Sequence, residues 1–144
     1  MIKYIIQQQN SKIEFLTLEA AEAFKLLNSV PEEISTVEEV ISPADQLMLL
    51  ESLSEKYIGY GIELFKVLKR KIWAVNTYNK SLGNELTIEQ MTALLQTSDI
   101  LQKALESGSL LTAISILNQL KTSLPSYSSV ADFALADISS FLGS

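Results

Sequence analysis

The chain predicts an α+β protein that is mostly α: a small N-terminal ββαβ unit, a long helix and a C-terminal three-helix bundle. Three observations carry that prediction. Apolar residues alternate at period two in the first fifteen positions, as a half-buried strand requires. From Leu50 onward they recur at threes and fours. The second half is punctuated by helix start and stop residues. The expected division is 1–42 for the small unit, 43–80 for the long helix, and 81–144 for a helical bundle packing on it.

The first strand is read from Ile2, Tyr4 and Ile6 alternating with Lys3 and Ile5. A polar run from Gln7 to Ser11 supplies the turn, and Ile13, Glu14 and Phe15 continue the alternation as strand two. Thr17 is placed to cap the next helix, since its hydroxyl can accept from a free first-turn amide. Ala20, Ala23, Phe24 and Leu27 give that helix an apolar face, and Asn28, Ser29 and Pro31 end it. Ile34 to Ile41 is β-branched-rich but holds Glu32-Glu33 just before it and Glu38-Glu39 within it. Such a strand belongs at a sheet edge.

Ser42-Pro43-Ala44-Asp45 is a strong helix start: a cap, a proline at the first helical position, and an acid at the positive end. No proline follows until beyond Asn79, so the pattern predicts one helix on the order of 55 Å long. Gly59 and Gly61 lie inside it. They fit either a break into two helices or a close crossing where a missing side chain lets two backbones meet. Ser81 to Asn84 terminates the helix. Thr87-Ile88-Glu89-Gln90 then reads as a capping box, with Leu94, Leu95, Ile100, Leu101, Ala104 and Leu105 as the buried face. Gly108 closes this helix, and Ser107 or Ser109 caps the next, whose face is Leu110, Leu111, Ala113, Ile114 and Leu117. Pro125 ends it. Ser129 to Asp132 opens a last amphipathic helix that stops at Gly143.

A chain of 144 residues with 47% apolar content is long enough for one core of moderate size. Charged residues make up 19%, below the usual quarter, which fits either an extra apolar face or a surface solvated by neutral polar residues. Cys and His are both absent. Disulfides, thiol nucleophiles and Cys-ligated metals are therefore excluded, as is histidine acid–base work. No apolar stretch develops after Met1 to Ile6, so no secretory signal is expected, and no run approaches a membrane span.

The net charge of −6 is unevenly spread. Residues 1–55 hold ten acids and three bases, 56–80 hold six bases and one acid, and 81–144 hold six acids and two bases. The middle is a basic island whose charge can steer assembly with acidic segments or copies. Within it Lys66, Lys69 and Arg70 share a helix face, with Lys71 and Trp73 beside them. These five residues are the candidate partner-binding cluster. Nucleic acid is the less favoured occupant, because a binder of phosphate backbones usually carries a basic domain and this chain has a pI near 4.6.

Motifs for catalysis are missing. General acid–base chemistry needs two carboxylates in contrasting environments, whereas adjacent glutamates in an edge strand stay in water. There is no calcium-loop spacing and no glycine-rich phosphate loop. No catalytic, cofactor-binding or metal-binding residue is assigned, and no cofactor is expected.

The second half resembles small helical proteins of tailed bacteriophages encoded near tail-fibre and tail-tip genes. The likeness rests on a long helix ending in Ala74-Val75-Asn76-Thr77-Tyr78-Asn79, then L-T-x-E-Q at Leu86 to Gln90, then L-x-x-G-S-L-x-T-A at Leu105 to Ala113, and a closing helix. The N-terminal unit, with its strand, its helix start at Thr17-Leu18-Glu19 and its acidic strand, is also similar to the openings of small phage proteins, and the likeness as a whole covers about two-thirds of the chain. It implies a non-enzymatic structural or assembly role through contacts with other phage structural proteins or with itself, in the virion or in the host cytoplasm during assembly. The long helix would supply the contact for self-association, and the N-terminal strands could extend a partner's sheet. The alternative is an acidic inhibitor or regulator that binds a basic protein.

Overall fold

The structure, a computed structural model, describes residues 1–143. In order it contains strands β1 (Ile2–Gln8) and β2 (Ser11–Phe15), helix α1 (Leu18–Asn28), strand β3 (Ser35–Glu38), helices α2 (Pro43–Ser81), α3 (Ile88–Glu106) and α4 (Leu110–Ser123), a 3-10 turn at Pro125–Tyr127, and helix α5 (Ser128–Leu142). This is the mostly helical α+β chain the sequence predicts. It divides into two compact units, Met1–Lys56 with Ala136–Ser144, and Tyr57–Leu135. The boundaries cut through α2 and α5, a different partition from the three consecutive segments expected.

In the first unit β1 is the central strand of an antiparallel sheet ordered β2-β1-β3. Tyr4 stands opposite Phe15 and Thr36, and Ile6 opposite Ile13. The expected alternation does not hold along β1: the adjacent Ile5 and Ile6 are both buried, while Ile2 is exposed. Against this sheet α1 lays Ala20, Ala23 and Phe24. The Phe24 ring meets Phe15 at 5.5 Å between centroids, tilted by 44°. Thr17 caps α1 by accepting from the amide of Ala20 at 3.2 Å. Ser29 ends it in the left-handed region, at φ 50°.

The third strand is shorter than Ile34 to Ile41: it pairs with Ile2 to Ile5 of β1 and stops at Glu38, opposite the residue where β1 begins. All four of its residues are exposed, as an acidic edge strand must be. The Glu39 carboxylate accepts from the Lys3 ammonium at 2.7 Å. That hydrogen bond, first among several causes, holds the Lys3 ammonium above its ordinary value. The last turns of α5 pack beside α1: Ser139 donates to the Asn28 side chain at 3.0 Å, and Leu142 is buried.

The second unit is helical. Here α2 supplies Leu64, Phe65 and Leu68; α3 supplies Leu94, Leu101, Ala104 and Leu105; α4 supplies Leu110, Ala113, Ile114, Leu117 and Leu120. The capping box at the start of α3 forms in both directions, at 3.1 Å to the Gln90 amide and 3.0 Å from the Thr87 amide. At the α3–α4 turn Gly108 takes φ 77°, a backbone that side chains resist. Ser109 is the cap residue but makes no side-chain cap bond, and the Ser107 hydroxyl turns back to the Ala104 carbonyl at 3.0 Å.

The two readings of Gly59 and Gly61 are now separated. The helix runs unbroken for 39 residues. A Cβ on Gly61 would stand 1.8 Å from the Leu105 carbonyl oxygen, whereas one on Gly59 meets nothing within 4 Å. Gly61 is therefore a true backbone-to-backbone crossing of α2 and α3, and Gly59 is a tolerated exposed glycine. The buried face predicted for α3 needs correction at two positions. Leu95 is 63% exposed and Ile100 is 53% exposed. With the crossing pinned at Leu105, the core side of α3 follows Leu94, Leu101, Ala104 and Leu105, and the apolar stripe is wider than the surface that covers it.

Candidate functional site

The candidate cluster lies on α2 in the helical unit, and the helix splits it. Successive residues rotate by about 100°. Lys66, Lys69, Arg70 and Trp73 therefore fall within an arc of about 100°, while Lys71 points away from them. The side chains follow that geometry. The Lys71 ammonium sits 4.2 Å from the centroid of the Phe133 ring, close enough for a cation–π attraction. Lys66 reaches back to Glu63 at 3.1 Å. Among the described residues, neither Lys69 nor Arg70 has an ion-pair partner, and Trp73 is 69% exposed.

Beside them α2 and α3 leave a groove of about 520 Å³. From α2 come Phe65, Lys69, Arg70, Ile72 and Trp73; from α3 come Leu95, Ser98, Asp99 and Gln102. The α3 set is spaced at three and four residues, so it is one continuous row facing α2. Phe65 is buried at the base, and Asp99 is engaged by Lys103 at 3.0 Å. The groove thus offers aromatic and aliphatic surface with two free cationic side chains at its edge. The lining pairs apolar area with charge, the two components that protein interfaces combine.

The α3 half of this groove was not visible in the sequence. The helical spacing places Leu95 on the buried face, and Ser98, Asp99 and Gln102 carry no motif. The only signal was an apolar stripe on α3 broader than one packing face needs.

The other candidate groups stay apart from the groove. Glu32, Glu33, Glu38 and Glu39 are exposed, and no polar or charged residue is among the buried ones described. The described residues hold no group of three or more potential metal ligands, and no helix is long and apolar enough to cross a membrane.

No family model matches the chain, and neither a curated protein nor a solved structure matches it.

Proposed function

We propose that this protein is a non-enzymatic assembly protein that works through protein–protein contacts, with the α2–α3 groove as a docking site. The observation that supports this most directly is the pairing of an exposed Trp73 with the unpartnered cations Lys69 and Arg70 along an apolar groove. A matching partner presents an amphipathic helix with leucine-like and acidic residues on one face, the helix-in-groove mode of recognition. The setting, a structural or assembly role at the tail fibre or tail tip of a bacteriophage, rests on the sequence resemblance. Mass spectrometry of purified particles tests that setting.

Trp73 is the chain's one tryptophan and reports occupation of the groove. Titration with a synthetic amphipathic peptide bearing leucine and glutamate on one face should shift its emission to shorter wavelength. Reversing Lys69 and Arg70 to glutamate should abolish the shift. An unmoved emission with such peptides would remove the groove as a docking site. The alternative, an acidic regulator of a basic protein, draws on the exposed glutamates around β3. It predicts instead that a basic partner binds the sheet unit, with affinity that collapses in salt.

A further inference from the structure

We infer that the groove's occupant is the opening of α2 from a second copy of this chain, an inference that rests on reading the groove as a docking site. Leu47, Met48, Leu49 and Leu50 are 59%, 67%, 43% and 38% exposed. Four consecutive helical residues point in four directions about 100° apart; Leu47 and Met48 are the most exposed of them, while Leu50 lines a cleft with Tyr4 and Leu16. A segment of that kind marks an interaction site.

Its charge identifies the partner. Leu47, Met48, Glu51 and Glu55 fall within an arc of about 100°, two exposed apolar residues beside two acids. Residues 43–55 contain three acids and no base. The groove presents the opposite sign, Lys69 and Arg70 beside Trp73, and residues 56–80 hold six bases and one acid. Apolar surface meets apolar surface and acid meets base when one copy's opening turns lie in another copy's groove.

The two surfaces belong to one unbroken helix, about twenty residues apart along the chain. A helix cannot bring such turns onto each other, so the complement must come from another molecule.

Three full-length proteins test this by sedimentation equilibrium, with Trp73 emission followed on dilution. The wild type should self-associate, and its emission should move to longer wavelength as it dissociates. The groove variant Lys69→Glu/Arg70→Glu and the opening variant Glu51→Lys/Glu55→Lys should each be monomeric, with unchanged circular dichroism. Mixed, they should associate again, because each reversed surface then finds its complement on the other protein. A wild type that stays monomeric at its highest soluble concentration overturns the inference. So does self-association that both variants retain, or a mixture that stays monomeric. If the wild type is monomeric and yet acidic amphipathic peptides shift Trp73, the groove remains a docking site and only the second copy is wrong. If neither occurs, both readings fall.

Discussion

The α3–α4 hairpin and the opening of α2 are both rich in leucine and lead opposite lives. In the hairpin Leu94, Leu101, Leu105, Leu110, Leu117 and Leu120 are all buried. In the opening of α2 four apolar residues in a row are each between 38% and 67% exposed. The difference lies in spacing. The hairpin leucines recur at threes, fours and sevens, so they gather on one side of each helix and one neighbouring surface covers them. The run from Leu47 to Leu50 surrounds its helix, and no single neighbour could cover it. Apolar content therefore says how much surface wants covering, and periodicity says whether the chain covers it itself.

The contrast can be broken most severely at the crossing that organises the helical unit. Gly61→Ala places a methyl group against the Leu105 carbonyl at less than contact distance. It should destabilise the protein by more than about 4 kcal/mol, in the exceptional range for one substitution. Gly59→Ala, with open space around it, should instead gain up to about 1 kcal/mol in helix propensity. Urea unfolding of both variants decides the matter, and similar losses at the two sites would remove the crossing.

A smaller effect separates the two leucine-rich regions themselves. Leu117→Ala, fully buried, should cost about 2–5 kcal/mol. Leu47→Ala, measured at concentrations where the protein is monomeric, should stay within about 0.5 kcal/mol. A comparable loss at Leu47 would mean that the opening of α2 is covered within one chain.

The smallest effect concerns an imperfection in the helical core. Tyr127 is fully buried, and its hydroxyl has no hydrogen-bond partner among the described residues. Tyr127→Phe removes a polar atom that nothing satisfies, so it should be neutral or stabilise by up to about 1 kcal/mol. Burial raises the Tyr127 phenol above its ordinary value of 10.0. The unfolded chain ionises first, so stability present below about pH 10 is lost as pH rises towards the folded value. Urea midpoints measured between about pH 9 and 11 should fall less for Tyr127→Phe than for the wild type. Equal slopes would mean that the hydroxyl finds a partner in solution.

Signals that act within a few residues could be read from the sequence. Thr17, the Ser42-Pro43 start and the Thr87–Gln90 box all concern amides within one helical turn, and each cap forms where its residues stand. The order of strands and helices follows from the same local patterns. Contacts between elements were harder to read. Gly59 and Gly61 look alike along the chain, and only the approach of α3 distinguishes them. The groove has the same origin. Lys69, Arg70 and Trp73 stood out by residue type, but Ser98, Asp99 and Gln102 join them only because the crossing fixes which side of α3 faces α2. Lys71 stood out equally and is turned to Phe133, a neighbour far away in sequence.

The Gly61 crossing also has a mechanical consequence. A slide of α2 along α3 by about one turn would bring Tyr57 or Phe65 to the Leu105 carbonyl, where not even a methyl group fits. Along its own axis α2 is thus keyed to α3 like a tooth in a rack. Force applied along α2 would load this contact in shear, and the two helices would have to separate before either could slide.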